Sequence, residues 1–203
     1  MGIKKYVSNF LVCGCDESGR GALAGPVVAA AVILNKDFET KEINDSKKIS
    51  SVKRAELFKK ITSDKNLWGI GIVENNDIDR LNILNSSILA MHKAIAVLEK
   101  KIDNFKNFEL IIDGNKFKQY KKIKHSCIIS GDSKFFSIAA ASILAKFYRD
   151  NVMINLDKKL PQYNWKSNKG YPTRQHRKSI INFGVSKFHR KSFKMNNQLN
   201  LWV

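Results

Sequence analysis

Asp16-Glu17-Ser18-Gly19-Arg20-Gly21 stands between two uncharged apolar stretches, residues 10–15 before it and 26–34 after it. The lead-in has the length and residue types of a strand bounded by a turn, so Asp16 is expected where that strand ends. Side chains on a strand alternate faces, so Asp16 and Glu17 can aim at one point only if the backbone leaves regular geometry there. Gly19 and Gly21 supply that freedom, because glycine takes positive φ and lets a second backbone come close. Arg20 between them is a fixed-charge fork suited to phosphate. Taken alone, an Asp-Glu before glycine reads as a polar hairpin turn, so the rest of the chain has to decide whether it is a site.

The chain of 203 residues fits one domain with a real core, residues 1–203, from which 196–203 could protrude as a tail. Lys and Arg number 36 against 18 acids, a formal charge of +18 that favours polyanionic partners such as nucleic acid. An anionic membrane is the rival partner, but the longest apolar run is too short to span a bilayer and no long helix gathers the basic charge on one face. Lys4 and Lys5 precede an apolar stretch that Asp16 cuts short, so no signal peptide is expected, and Tyr6 stands where N-myristoylation needs Ser or Thr. A cytoplasmic protein is the expectation. Cys13, Cys15 and Cys127 are odd in number and lack paired spacing, which fits small buried apolar residues better than a disulfide framework or a zinc site.

Further along, a helix is expected over residues 51–62 with Val52, Ala55, Phe58 and Ile61 as its apolar stripe. A strand over 67–73 carries Gly69 and Gly71, which leave one face bare for close packing. Leu84, Ile88, Met91, Ile95, Leu98 and Ile102 step by four and three within a single long helix over 77–102. His92 on that helix has no partner at metal-ligand spacing and reads as structural or solvent-facing. Residues 109–112 form a short strand ending at Asp113-Gly114. Strands ending together at one sheet edge would bring Asp113 beside Asp16. A strand over 123–130 leads through Gly131-Asp132-Ser133-Lys134 into a helix over 135–160, whose run of Ala139, Ala140, Ala141, Ser142 and Ala145 allows close approach to a sheet. Asp150 on this helix lies one turn after Lys146, so an ion pair is one reading of it. Residues 164–172 read as a polar loop carrying Trp165 and Tyr171. Thr173 caps a helix running to Phe183, Gly184 ends it, and residues 188–193 read as a last helical turn. Strands first and helices returning give an α/β chain, a mixed central sheet flanked by helices with a helical C-terminal region.

The string Asp16 to Gly21 resembles the Asp-Glu-Ala-Gly-Arg-Gly signature of ribonuclease HII, the bacterial type 2 ribonuclease H, with Ser18 in place of Ala. Asn44-Asp45-Ser46-Lys47-Lys48 resembles that family's backbone-binding motif. The block from Gly131 to Arg149-Asp150 is similar to its most recognisable helix, and Gly170-Tyr171-Pro172-Thr173 with His176 to the element whose Tyr packs on a sugar. The resemblance implies the ribonuclease H-type fold and four active-site acids, Asp16, Glu17, Asp113 and Asp150. It also implies nucleic-acid contacts by Gly19, Arg20, Gly21, Ser46, Lys47, Lys48, Lys134, Lys146 and Tyr171. The related ribonuclease HIII carries an extra N-terminal domain, whereas fifteen residues precede Asp16 here.

Four carboxylates that close need protons or cations, and oxygen donors without His or thiolate suit Mg²⁺ or Mn²⁺. Two such ions about 3.5 to 4 Å apart can activate a water and steady a leaving oxygen, so no protein nucleophile is required. The implied activity is an endoribonuclease that hydrolyses the RNA strand of RNA:DNA hybrids and cuts at single ribonucleotides in duplex DNA, leaving 5′-phosphate and 3′-hydroxyl ends. The alternative is a basic nucleic-acid-binding module that keeps the fold without the chemistry. Gln198-Leu199-Asn200-Leu201-Trp202 resembles the bacterial sliding-clamp pentapeptide, with Asn and Trp as departures. Gln198, Leu199, Leu201 and Trp202 would be its anchors, the alternative being a terminal segment packed on its own domain.

Overall fold

Residues 27–33 carry no charge and all seven are buried, as a strand covered on both faces must be. A computed structural model, describing residues 3–38, 43, 49–63, 65–102 and 108–194, makes this strand the second in a five-stranded mixed sheet. In chain order the strands are β1 (Leu11–Ser18), β2 (Val27–Ile33), β3 (Leu67–Val73), β4 (Phe108–Asp113) and β5 (His125–Ile128). Their spatial order is β3-β2-β1-β4-β5. The first three pair antiparallel, while β4 lies parallel to both β1 and β5.

The helices are α1 (Ser51–Ile61), α2 (Asn75–Leu81), α3 (Ile83–Glu99), α4 (Phe136–Lys159), α5 (Trp165–Asn168) and α6 (Arg174–Phe183). One sheet face is covered by α3, where Met91, Ala94, Ile95 and Leu98 pack with Cys13, Cys15, Ala29 and Ala31. Gly69 and Gly71 present bare backbone to it, as their spacing predicts. A Cβ on either would fall within 2.2 Å of an α3 carbonyl oxygen. The other face is covered by α4 and α1 through Ala30, Val32, Leu57, Ile61 and the alanines of residues 139–145. Burial of this apolar surface on both faces is the main stabilising term.

Gly14 sets how closely α4 approaches β1, since a Cβ there would lie 2.2 Å from the Ser137 carbonyl carbon. That contact puts the first half of α4 directly over the strand that carries Asp16.

Several expectations need correction. β1 does not end at Asp16 but runs on to Ser18, with Asp16 opposite Ala30 and Glu17 opposite Ala29, because β2 goes on pairing with it. The single long helix is two, broken at Asn82, whose φ of 65° interrupts the backbone ladder while its side chain caps α3 by accepting from Asn85 N–H. On α1 Val52 is exposed and Leu57 is buried in its stead. Cys127 is exposed, unlike Cys13 and Cys15. Trp165 opens a short helix and is fully buried. Residues 188–193 form no helical turn; His189 instead makes an isolated antiparallel bridge to Ala24. The motif residues Ser46, Lys47 and Lys48 and the tail residues Gln198, Leu199, Leu201 and Trp202 lie outside the described residues.

Gly14→Ala is expected to cost about 1–3 kcal/mol in urea unfolding, since two backbones must part. Gly21→Ala, with open space around the added methyl, should stay within about 0.5 kcal/mol of the parent.

Candidate active site

Cys15 pairs with Ile112 across β1 and β4, so the next residues, Asp16 and Asp113, end up side by side. Both fall on the α4 face, where Gly14 precedes them. β4 ends at Asp113, and Gly114 turns the chain away with a φ of 92°. Beyond that level the β4-side edge of β1 is open, which gives Glu17 access to the same cleft although alternation sends it the other way. After β5, a 3-10 turn at Gly131–Ser133 brings Asp132 to this edge. Its Gly131 N–H donates to Asp113 Oδ1 at 2.7 Å.

These residues open onto a cleft of about 430 Å³. Asp16, Glu17, Asp113 and Asp132 supply its acids; Arg20, Arg54 and Lys146 supply cations; Gly19, Gly21 and Tyr171 complete the rim. Asp16 is 5% exposed and Asp132 2%. Burial pushes the Asp16 carboxyl well above the usual carboxylate range, and the charges of Glu17 and Asp113 push the same way, against a hydrogen bond from Ser142. Burial raises Glu17 as well, opposed by Arg20, whose Nη1 donates to Oε1 at 3.2 Å. The other Glu17 oxygen, Oε2, is buried and has no hydrogen-bond partner among the described residues.

An oxygen-only donor set, a buried unpartnered carboxylate oxygen and carboxyls held out of water fit a hard divalent cation. Among the described residues, no group of three or more His, Cys, Asp or Glu side chains forms a metal-holding cluster. Mg²⁺ chemistry does not require one, since that ion is commonly held by one or two carboxylates, waters and substrate phosphates.

Asp150 requires a correction. Its carboxylate does not line the cleft. Oδ1 accepts from Lys146 Nζ at 2.6 Å and Oδ2 lies 3.9 Å from Arg54 Nη1, so the acid sits behind two cleft cations. Lys134 also lies outside the cleft, its Nζ donating to the Ile129 carbonyl at 2.8 Å. Sequence reasoning missed Asp132, Arg54 and Ser142. The signal for Asp132 was present, an acid directly after a strand and a glycine, but it was read as the lead-in to a helix. His92 is structural as expected, with Nε2 2.8 Å from the Lys118 carbonyl.

Tyr171 is held by a buried imidazole pair. Trp165 Nε1–H donates to His176 Nε2 at 2.9 Å, which leaves the Nδ1–H to donate to the Tyr171 carbonyl at 2.9 Å. His189 Nε2 lies 3.2 Å from the same His176 nitrogen, and its Nδ1 accepts from Ser186 N–H at 2.9 Å. Burial lowers both pKa values, and the neighbouring His176 helps bring His189 down to about 4.

Comparison with known proteins bears on this cleft. The family described as Ribonuclease HII matches residues 13–196. The Ribonuclease HII of Christiangramia forsetii is 52% identical over 190 residues, covering 94% of this chain and 93% of that protein. The Ribonuclease HII of Porphyromonas gingivalis is 50% identical over 193 residues, covering 95% and 94%. Among solved structures, the PCNA:RNase HII complex from Archaeoglobus fulgidus superposes with a TM-score of 0.73 at 20% identity, covering 95% of this chain and 100% of that one. Bst-RNase HIII in complex with Mn²⁺ gives 0.73 at 18% identity, covering 90% of this chain and 66% of that one. At such identities these two speak for the fold alone.

Two predictions follow from the charges. A carboxyl whose folded pKa is raised costs stability once ionised, so Asp16→Asn should raise Tm at pH 7 in EDTA by a few degrees, about 1 kcal/mol per pK unit relieved; a lower Tm would contradict the burial penalty. His189, depressed from 6.5 to about 4, works in the opposite direction. The unfolded chain takes the proton first, so its contribution is full above pH 6.5 and is lost as pH falls towards 4. His189→Gln should therefore flatten the fall of Tm across that window.

Proposed function

The chain belongs to the ribonuclease HII family, and from that premise we propose that it is a divalent-metal endoribonuclease acting through Asp16, Glu17, Asp113 and Asp132. The family membership itself carries a ribonuclease H activity. The finer reading covers the RNA strand of RNA:DNA hybrids and single ribonucleotides embedded in duplex DNA, with 5′-phosphate and 3′-hydroxyl products. One observation supports it above the others: acids from three separate segments meet at one sheet edge, Asp16 and Asp132 buried there, with the Glu17 Oε2 lacking any partner among the described residues.

Bound Mg²⁺ or Mn²⁺, two ions in this reading, would generate the attacking hydroxide and neutralise charge on the leaving oxygen. The chain's residues do the rest. Asp16 and Glu17, adjacent on β1, Asp113 at the end of β4, and Asp132, next to the Gly131 whose N–H donates to Asp113, would supply the oxygens that hold the cations. Lys146 and Arg54 face a phosphate backbone from the cleft wall, and Asp150 behind them fixes their direction. Arg20 is exposed enough to reach a phosphate while its Nη1 stays on Glu17. Gly21 exposes backbone at the cleft where a ribose could approach, Gly19 lines the same cleft from a buried position, and Tyr171 offers a ring to the sugar's face. The 2′-hydroxyl is the group by which RNA is told from DNA. The excess of Lys and Arg supplies sequence-independent affinity, with log K falling by about 0.9 per phosphate contact per log unit of salt. A sliding clamp, bound through Gln198, Leu199, Leu201 and Trp202, is a further partner in this reading; loss of clamp pull-down on deleting residues 198–203 is the expected result.

Asp113→Asn should reduce cleavage of a duplex holding one ribonucleotide by roughly 10³-fold or more while leaving binding intact. EDTA should abolish cleavage by the parent. Asp150→Asn should weaken binding but keep a rise of Tm on adding Mn²⁺, a rise that Asp16→Asn lacks. Equal behaviour of parent and Asp113→Asn would favour the non-catalytic binding module.

A further inference from the structure

Arg149 and Arg190 are both 0% exposed and, among the described residues, hydrogen-bond to backbone carbonyls and not to a carboxylate. Each guanidinium spends three N–H groups on backbone carbonyls. Arg149 donates to Pro26, Lys169 and Ala24 at 3.0, 2.9 and 3.2 Å. Arg190 donates to Gly25, Arg20 and Pro26 at 3.0, 2.9 and 3.1 Å. The Pro26 carbonyl accepts one bond from each, so the two forks meet at one oxygen. Five of the six bonds end on residues 20–26, the connection between β1 and β2 that carries the rim of the cleft. The sixth, to Lys169, ends on the segment that leads to Tyr171.

Arg149 also touches both halves of that rim directly. A Cβ on Gly19 would lie 2.0 Å from its Nε, so the guanidinium fills the space where any other side chain would point. Its Cζ lies 5.2 Å from the centre of the Tyr171 ring. The two segments are tied to each other as well, Leu23 N–H donating to the Gly170 carbonyl at 2.7 Å.

Burying two fixed cations within one small region is costly, and apolar residues of similar volume would fill the space at less cost. What only a guanidinium provides is a rigid planar fork that sets several acceptors in fixed relative positions. Burial lowers both pKa values, Arg190 to about 9, with the charge of Arg149 adding to the effect there. The fold accepts this cost at a connection that carries part of the cleft rim.

We infer that Arg149 and Arg190 are positioning residues for sugar selection, holding the backbone of residues 19–21 and the ring of Tyr171 at one fixed separation so that a ribose 2′-hydroxyl meets hydrogen-bond partners there, whereas a sugar without it leaves them unpaired. The inference rests on the activity proposed above. Neither arginine touches substrate; each acts through the groups it holds.

The test is single-turnover cleavage of two duplexes, one holding a ribonucleotide and one its 2′-fluoro counterpart, by the full chain and by Arg149→Lys, Arg190→Lys and Met153→Ala. Met153 is buried against the same connection, its Sδ 2.3 Å from where a Cβ on Gly25 would sit, but it makes no hydrogen bond there, so it serves as a control for lost stability. Both lysine variants should lower the ratio of ribose to 2′-fluoro cleavage about tenfold or more, since sub-ångström misplacement is strongly felt in rate. Met153→Ala should keep the parent ratio at a comparable loss of Tm, and all three should keep the Mn²⁺-dependent rise of Tm. An unchanged ratio in both lysine variants overturns the inference and makes the arginines a structural brace. If Arg149→Lys fails to fold, Arg190→Lys alone decides, because it holds the Pro26 and Arg20 carbonyls from the other side. Failure of the parent to cut the ribonucleotide duplex removes the proposed activity itself; cutting by the parent with unchanged ratios removes only this inference.

Discussion

Gathering several carboxylates, two of them buried, at one edge of the sheet is the constraint around which this molecule is arranged. Ionised acids at such a point repel one another and lose hydration, and the cost rises with every acid added. The sheet accepts it because the acids sit at strand ends. Asp16 is fixed by the pairing of β1 with β2 on one side and β4 on the other, and the close contact of Gly14 with Ser137 lets Ser142 reach its carboxylate. The backbone frame, not the acids, supplies the stability that holds them together.

The rest of the cleft follows from the same frame. Cations are arranged in two ways that differ in kind. Arg20, Arg54 and Lys146 stand at the cleft, each near a carboxylate at its back or side. Arg149 and Arg190 are sealed beneath it and spend their donors on carbonyls. Of the first group Arg20 is exposed and can turn to a polyanion, while Arg54 and Lys146 are held by the half-buried Asp150 behind them. The second group cannot turn, because leaving a buried guanidinium without acceptors is too costly.

Much of this was legible before any coordinates. The uncharged run over 26–34 marked a buried strand, Gly69 and Gly71 a face bare for close packing, and the small residues of 139–145 the close approach of a helix to the sheet. Asp16 and Asp113 could be brought together by asking which strands end at one edge. The misses have physical causes. Glu17 appeared to need a break in the strand, because alternation is visible in sequence but the place where the neighbouring strand stops is not. Asp150 sits in a conspicuous helix, yet its direction depends on Arg54 from α1, a tertiary partner no spacing discloses. Asp132 sits in the Gly131–Lys134 lead-in to a helix, where a polar residue carries no mark of its own. Asn82 ended a helix that its apolar period would have continued, since a positive φ leaves no mark on periodicity.

The parallel pairing of β1 with β4, which sets Leu11 beside Phe108, has a consequence for how the molecule comes into being. Contacts between residues so far apart in sequence form late, after the entropy of closing a long loop has been met, and they slow folding. A chain still leaving the ribosome has released the residues of β1 and β2, with two of the acids, before β4 and the turn after β5 can join them. Half-made molecules therefore own the signature string but not the assembled cleft, and nuclease competence arrives only with topological completion.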